Sequence, residues 1–419
     1  AEVCRRFLIS RKTGYKWLER YKAEGVAGLR RRPPVVPEPP HRLSPELVDS
    51  IVAMRKQHPT WGPKKLLVVL AEAEPERDWP AASTVGDVLT RNGLIRPKRR
   101  RVRSAPGTSP LAPCEEPNDT WCVDFKGHFA MGNRVRCHPL TITDAATRYL
   151  LKCEGLLQPR VLPVREHFEL AFKEFGMPRR IRSDNGPPFS TLSPGGLSAL
   201  SVWWIKLGIV PERIAPGHPE QNGRHERMHR TLKEETASPP HADLAQQQRA
   251  FDAFCHEYNS LRPHEALGQV PPARRYETST RIYPAELPPM TYGDLKTRWT
   301  KRGRIKWRNQ SVRISKLLRN EMVGLKQITE ALWEVYFGPV LLGVLDDRDK
   351  VMELRTVDTL HPDSATHRPV LVSPGPVPGS LGPVLVSSGA VCEDSGSGLR
   401  NPSVQTAKPL DSDGTESVT

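Results

Sequence analysis

The chain lacks the features that mark secreted, membrane-spanning and disulfide-stabilised proteins. Its seven cysteines include no Cys-x-x-Cys pair, and an odd, scattered set argues against a disulfide framework. No run approaches the roughly 18 apolar residues of a membrane span. Residues 1–21 carry charges throughout, unlike a signal peptide. These absences predict a protein of a reducing, cytoplasmic compartment with no membrane partner.

Positive charge, by contrast, is in excess. The 419 residues include 62 Lys and Arg against 47 Asp and Glu, a net charge of +15. The length predicts two or more domains rather than one core. A basic multidomain chain of this kind has polyanions as its natural partners.

The last 58 residues contain no aromatic side chain. They are rich in Pro, Ser, Gly and Val and carry a net charge of −3, which leaves about +18 on residues 1–361. Because such a composition cannot bury enough apolar surface to offset chain entropy, we predict that residues 361–419 are disordered.

Residues 1–32 are interpreted as a helix-turn-helix, incomplete at its N-terminus because the chain begins without Met inside a helical pattern. Ser10 is placed to cap the second helix. The residues predicted to face a core are Ile9, Trp17, Leu18 and Tyr21. The residues left for a DNA groove are Arg11, Lys12, Tyr15 and Lys16. The alternative is a solvated basic helix without a special role.

Residues 44–95 are interpreted as a second helix-turn-helix or winged-helix-like unit. Ser44 and Pro45 form a cap and a first-turn proline, and a possible second recognition helix lies at 83–92. Residues 96–117 then form a basic linker. Its arginines predicted to bind DNA are Arg99, Arg100 and Arg101.

The pattern of apolar and polar residues in segment 118–283 is typical of a mixed α/β domain. We predict strands at 120–125, 139–143, 149–154 and 180–183, with a helix at 164–174. Asp124 lies inside the first, otherwise apolar strand, and Asp184 ends the last. A buried aspartate is costly unless it is paired or metal-bound, and strand ends of such sheets are where sites are built. The alternative for Asp124 is a hydrogen-bonded structural aspartate.

Glu226 lies on a strongly charged predicted helix. Arg230 and Lys233 follow it by four and seven residues, so the three share one face. A carboxylate beside two cations suits a site that binds metal and also holds phosphates. The alternative is an exposed, ion-paired helix.

These residues together resemble the retroviral-type integrase core of bacterial insertion-sequence transposases. The motifs that carry the resemblance are TWCVDFKG at 120–127, SDNG at 183–186, HPEQNGRHER at 218–227 and YNSLRPH at 258–264. The resemblance covers roughly residues 118–270. It implies a ribonuclease-H-like fold in which Asp124, Asp184 and Glu226 are the catalytic acids and the metal ligands.

What the resemblance implies is a DNA transposase that uses two Mg²⁺ ions, with Mn²⁺ as a possible substitute. Asp124 would bridge both ions, Asp184 would hold one and Glu226 the other, since hard oxygen ligands suit Mg²⁺. Water would cut at the element ends, and the freed 3′-hydroxyl would attack target DNA. The expected partners are double-stranded DNA and further copies of the chain, with the protein associated with the nucleoid.

Two positions depart from the family pattern. Asp184 and Glu226 are 42 positions apart, wider than is usual in the family, and we expect a loop insertion at 190–201. Glu220 stands where many relatives have glutamine. A third difference is that no retroviral His/Cys zinc module precedes the core, so the helix-turn-helix units must supply end recognition.

Two other functions remain open. His225 to His229 matches the H-E-x-x-H pattern of zinc metalloproteases, although the surrounding arginines would crowd a cation. A catalytically decayed, DNA-binding regulator is the other alternative. Asp144 competes as a carboxylate ligand, but it is interpreted as a turn residue paired with Arg148.

Residues 290–360 alternate short predicted strands, with seven basic residues between Lys296 and Arg308. A small β-barrel with a basic edge fits this pattern, and phosphate contact is its expected use. A solvated sheet face is the alternative.

Overall fold

The computed structural model describes residues 2–30, 43–95, 111, 113–125, 127–214 and 223–356. Several predictions fall outside the described residues: the linker arginines Arg99, Arg100 and Arg101, the departure at Glu220, and the tail from residue 361.

Helices make up the N-terminal part and flank the central sheet. They are α1 (Glu2–Arg6), α2 (Arg11–Glu24), α3 (Pro45–Gln57), α4 (Pro63–Ala73), α5 (Ala82–Arg91), α6 (Val161–Phe175), α7 (Ala199–Lys206), α8 (Gly223–Thr236) and α9 (Leu244–Ser260).

The strands fall into a central group and a C-terminal group. The central strands are β1 (Thr120–Phe125), β2 (Phe129–Ala130), β3 (Arg136–Asp144), β4 (Leu150–Leu156), β5 (Arg180–Ser183) and β6 (Val210–Arg213). The C-terminal strands are β7 (Lys296–Trp299), β8 (Arg304–Trp307), β9 (Gln310–Arg313), β10 (Met322–Gln327), β11 (Leu332–Phe337) and β12 (Val340–Asp346).

Helix α2 begins as predicted, because the Ser10 hydroxyl accepts a hydrogen bond from the Thr13 backbone N–H at 3.1 Å. The predicted core face is wrong: Ile9, Leu18 and Tyr21 are exposed, and α2 has no buried residue. An apolar stripe identifies a face but not a partner for it. Helix α2 packs mainly on the short 3₁₀ turn Gly25–Leu29 that follows it.

Helices α3 to α5 form a bundle with its own apolar centre. Ser44 caps α3 and Pro45 occupies its first turn, as predicted. The buried side chains of this bundle are Ile51, Trp61, Leu66, Leu70, Val85, Val88 and Leu89. Three ion pairs join the bundle to the central domain, each at 2.9 Å: His58–Glu257, Lys64–Glu265 and Arg274–Glu72.

The central sheet is mixed, as the sequence predicts. Strand β1 pairs antiparallel with β3 and parallel with β5; β3 also pairs antiparallel with β4, and β5 pairs parallel with β6. Helices α6 and α7 cover one face around Trp121, Phe168 and Trp204. Helices α8 and α9 cover the other face around Met228 and Phe251. Two-sided burial explains the apolar run Trp121-Cys122-Val123 of β1.

The C-terminal strands form a four-stranded antiparallel sheet, β12-β11-β10-β7, and a separate hairpin of β8 and β9. The predicted closed barrel is therefore not confirmed. The expected insertion at 190–201 is a loop only to Ser198, because α7 begins at Ala199. Val202 and Ile205 of α7 pack into the core of the C-terminal strands, which ties that domain to the central one. No helix among the described residues is long and apolar enough to cross a membrane.

Candidate active site

The sheet places two of the three predicted acids near the ends of neighbouring strands. In the β1–β5 pairing, Thr120 lies opposite Arg180 and Cys122 opposite Arg182. Asp124 lies two positions after Cys122 and Asp184 two positions after Arg182, so both acids lie near the carboxyl ends of these parallel strands. Adjacent strands lie about 4.8 Å apart, so both residues lie near the same edge of the sheet.

Asp184 is held by the turn that follows its strand. The Gly186 backbone N–H donates to Asp184 Oδ1 at 3.2 Å, and the Asn185 side-chain amide donates to the Ile214 carbonyl at 2.8 Å, which fixes the turn against the end of β6. Burial raises the pKa of Asp184 above its usual value, and none of the described residues forms an ion pair with it. A half-buried carboxylate without a counter-ion is a favourable position for a cation.

Asp124 lies next to the buried side of α8. Its side chain is 16% exposed, and its Oδ2 is 3.9 Å from Nδ1 of His229. His229 and His225 are one helical turn apart, and Nε2 of both rings lies within hydrogen-bond distance of the Thr141 hydroxyl, at 2.7 and 2.6 Å. Burial lowers the pKa of His225 to about 3, so its ring is neutral at ordinary pH.

Glu226 is exposed on α8. Arg230 and Lys233 are exposed on the same helix, as the predicted common face requires. Within the described ranges, the one set of three ligand-type side chains whose atoms lie within 4.8 Å of one another is Asp124, His225 and His229. The structure therefore groups Asp124 with two histidines, and neither Asp184 nor Glu226 belongs to that set.

The H-E-x-x-H alternative uses the same two histidines. In that motif the rings would bind zinc one turn apart, with the glutamate as general base. Here both Nε2 atoms contact the Thr141 hydroxyl, and Glu226 is exposed. The threonine between the histidines was not predicted, since Thr141 lies on a distant strand and no local pattern marks it.

Asp144 is a structural residue, but the predicted ion pair with Arg148 does not form. The buried Asp144 carboxylate accepts hydrogen bonds from the Thr147 backbone and hydroxyl and from the Asn118 backbone, each at 2.7 Å. Arg148 instead leaves its Nε buried without a hydrogen-bond partner among the described residues. Burial lowers the pKa of Arg148, and the nearby positive charges of Arg224 and Arg227 lower it further.

The YNSLRPH motif joins the end of α9 to the sheet and to α8. The Asn259 amide bonds the Leu150 backbone N–H at 2.8 Å and its carbonyl at 2.9 Å. Arg262 pairs with Glu235 of α8 at 2.8 Å. The motif thus holds α8 over Asp124 rather than supplying a catalytic group.

The predicted DNA-contacting residues of α2, Arg11, Lys12, Tyr15 and Lys16, are all exposed. Their contact with DNA stays a prediction. The positive patch made by Arg148, Arg224 and Arg227 was missed, because its members come from a hairpin turn and a helix that only the fold brings together.

Models of known protein families match the segment that contains this site. Two family models, each described as "Integrase core domain", match residues 115–219 and 207–272. Residues 115–272 are therefore similar to integrase cores. A third model, described as "Homeodomain-like domain", matches residues 13–89, and so spans both predicted N-terminal units.

Relatives of the integrase core come from insertion elements. The chain is 30% identical over 188 residues to the insertion element IS476 uncharacterized 39.2 kDa protein of Xanthomonas euvesicatoria, covering 43% of this chain and 50% of that protein. It is 28% identical over 187 residues to the insertion element IS407 uncharacterized 31.7 kDa protein of Burkholderia multivorans, covering 43% and 62%. The chain thus spans between half and about three-fifths of these relatives.

Solved integrase structures also align with the chain. The catalytic core domain of HTLV-2 integrase in complex with magnesium gives a TM-score of 0.31 at 15% identity, covering 39% of this chain and 98% of that one. The simian T-cell lymphotropic virus intasome in complex with PP2A regulatory subunit B56 gamma gives 0.35 at 14% identity, covering 70% and 97%.

Proposed function

We propose that this chain is a DNA transposase that cleaves the ends of a mobile element and joins the freed 3′-hydroxyl ends to target DNA. The observation that carries the proposal is the parallel pairing of β1 with β5, which brings the strand ends that carry Asp124 and Asp184 next to each other, inside a segment that matches integrase cores. Relatives encoded by insertion elements support the same function.

The donor set fits divalent metal ions of the hard class. Asp184 is a half-buried carboxylate whose pKa is raised by burial and which has no ion pair among the described residues, so a bound cation would offset its desolvation. Asp124, Asp184 and Glu226 would hold the ions, and oxygen ligands of this kind favour Mg²⁺ or Mn²⁺. When bound, two such ions lower the pKa of the attacking hydroxyl and stabilise the leaving oxygen.

The protein's own side chains would hold the DNA. Arg230 and Lys233 lie on the exposed face of α8 that also carries Glu226, so they are positioned to hold DNA phosphates beside the acids. Exposed side chains of α2 and the bundle of α3 to α5 would grip double-stranded DNA at the element ends. Because two ends must be joined together, we propose that the chain acts as a homo-oligomer on DNA.

The test is a cleavage and strand-transfer assay with purified protein, Mg²⁺ and duplexes carrying candidate element ends. Asp124→Asn and Asp184→Asn should each lower the rate at least ~1000-fold, since several kcal/mol of transition-state stabilisation would be lost. Their DNA affinity should stay at the wild-type level. The matched control is Asp294→Asn, an exposed aspartate of the C-terminal domain that should leave the rate unchanged.

Two outcomes would contradict the proposal. Full activity of Asp124→Asn or Asp184→Asn would remove these carboxylates from the site. Tight DNA binding by the wild-type chain without cleavage in Mg²⁺ or Mn²⁺ would favour the regulator instead.

A further inference from the structure

A continuous line of polar contacts runs across the buried side of α8 and ends at Asp124. It starts at the Thr143 hydroxyl, which is 3.3 Å from Nδ1 of His225. Nε2 of His225 is 2.6 Å from the Thr141 hydroxyl, and that hydroxyl is 2.7 Å from Nε2 of His229. Nδ1 of His229 is then 3.9 Å from Oδ2 of Asp124.

The number of protons restricts how this line can be arranged. His225 and His229 are both buried, at 3% and 4% exposure, and a neutral imidazole carries one N–H and one acceptor nitrogen. The Thr141 hydroxyl has a single proton, which can go to one of the two rings or to the Asp124 backbone carbonyl 3.2 Å away. At least one ring must therefore donate its Nε2–H to the threonine oxygen.

Three arrangements satisfy the threonines, and the Asp124 carboxylate decides between them. In two of them a neutral His229 donates to Thr141, with the Thr141 proton on His225 or on the Asp124 backbone carbonyl. Nδ1 of His229 then carries a lone pair that faces a carboxylate oxygen, which is repulsive. In the third, only His225 donates to Thr141, the Thr141 proton goes to Nε2 of His229, and Nδ1–H of His229 faces the carboxylate. This third arrangement is attractive at every contact of the line, and Thr143 then donates to Nδ1 of His225.

We propose that Thr143, His225, Thr141 and His229 form a one-directional hydrogen-bond chain that presents an N–H to Asp124 and positions its carboxylate. This inference rests on the proposed function, in which Asp124 is a metal ligand. His229 would then be a positioning residue. At 3.9 Å the final contact is a charge–dipole attraction rather than a hydrogen bond. This attraction favours the rotamer of Asp124 in which its carboxylate faces His229.

The direct test reads the ring tautomers and needs no activity. Long-range ¹H–¹⁵N spectra of the full chain labelled at histidine nitrogens, recorded in EDTA near pH 7.5 and assigned with His225→Gln and His229→Gln, should show His225 protonated at Nε2 and His229 at Nδ1. The reverse pair, or Nε2–H in both rings, would overturn the chain. A joint shift of both rings by one equivalent of Zn²⁺ would also overturn it, in favour of a metal site.

The functional test removes the central hydroxyl. Thr141→Val should lower kcat of strand transfer about 10- to 100-fold, as outer-shell substitutions typically do, with the KM for DNA unchanged. Thr141→Ser, which keeps the hydroxyl, should restore the rate, and His229→Asn, which keeps an N–H donor, should retain more activity than His229→Leu. The matched control is Thr231→Val on the outer side of α8, which should behave as wild type.

The two hypotheses fail differently. Equal kcat for Thr141→Val and wild type, in a folded protein, would exclude a positioning role while the transposase proposal stands. Wild-type protein that shows the expected tautomers but no cleavage would remove the transposase proposal and leave the hydrogen-bond chain as a structural device. Thermal unfolding of each variant would separate loss of fold from loss of positioning.

Discussion

Gly186 lies against the carboxylate of Asp184. A Cβ at this position would be 3.0 Å from Asp184 Oδ2, so a side chain would push the carboxylate out of its present position. We therefore expect Gly186→Ala to slow strand transfer by at least about tenfold, since small displacements of reacting groups have large effects on rate. The fold should survive, because the turn is on the surface of the sheet edge.

The rate of Gly186→Ala is measured beside Gly62→Ala. A Cβ at Gly62 meets nothing within 4 Å, so that variant should retain the wild-type rate. Equal rates for all three proteins would show that the Asp184 carboxylate does not need its present position.

His264 should make the folded protein sensitive to acid. Burial, the larger effect, and the nearby charges of Lys65 and Arg262 together lower the pKa of His264 from 6.5 to about 3. Between these two pKa values the unfolded chain binds a proton that the folded chain does not. Stability is therefore complete above about pH 6.5 and falls as the pH drops towards 3, by at most ~1.4 kcal/mol per pH unit.

Urea unfolding of the wild type and His264→Gln between pH 8 and pH 4 checks this dependence. The two stability curves should run parallel above pH 7, where the ring is neutral in both states. Below pH 6 the wild type should lose stability faster than the variant. Parallel curves down to pH 4 would contradict a buried neutral His264.

At the scale of elements, α9 protects the free edge of strand β4. Asn259 bonds both backbone groups of Leu150, and Gln248 bonds the Gly155 N–H and the Cys153 carbonyl, each at 2.9 Å. Two side-chain amides thus take the place of a neighbouring strand. An edge covered in this way cannot recruit another chain.

Removing the more deeply placed amide should destabilise the domain. Asn259→Ala leaves a buried N–H and a buried carbonyl without partners, which is expected to lower the free energy of unfolding by ~2–4 kcal/mol. Gln248→Ala should have a smaller effect, because Gln248 is partly exposed. The exposed Gln246→Ala on the same helix should be close to neutral, and urea unfolding of the three variants gives the order. An Asn259→Ala protein as stable as Gln246→Ala would show that the hydrogen bonds of Asn259 to Leu150 do not stabilise the domain.

The elements themselves differ in how well the sequence predicts them. The strands at 120–125 and 180–183 have the predicted bounds; the first is a short apolar run that has few other solutions. The apolar face of α2 was predicted to be buried and is exposed, since periodicity carries no information about what packs on a face. The small C-terminal β-barrel is not confirmed, and strand patterns do not say which edges pair.

At the scale of the molecule, the net charge of +15 predicts backbone-dominated DNA binding. Affinity should fall steeply with salt, by about 10³ to 10⁵ between 50 and 200 mM if six to ten phosphates are contacted. The double variant Arg230→Gln/Lys233→Gln should reduce the slope of log affinity against log salt by ~2.

Fluorescence anisotropy on a labelled duplex at several salt concentrations measures these slopes. Lys173→Gln, on the exposed side of α6, is the matched control and should keep the wild-type slope. A flat salt response of the wild type would refute phosphate-dominated binding. An unchanged slope for the double variant would place the DNA elsewhere than on this face of α8.

Asp124, Asp184 and Glu226 could be selected from the sequence because a carboxylate at the end of an apolar strand is costly without a function, and because short motifs surround each of them. Features of this kind can be recognised from consecutive residues of the sequence. The pairing of β1 with β5, which brings the strand ends that carry Asp124 and Asp184 next to each other, depends on strands 60 positions apart.

The contacts of Thr141 with His225 and His229, and the grouping of Arg148 with Arg224 and Arg227, were decided by the tertiary structure alone. Their partners are more than 70 positions apart in the chain, and no periodicity links them. The sequence by itself determined the fold class, the acidic residues and the excess of positive charge, because composition and short-range pattern encode them. Only the packing of α8 on the sheet decided which neighbours orient Asp124, because that choice is made by contacts between distant segments.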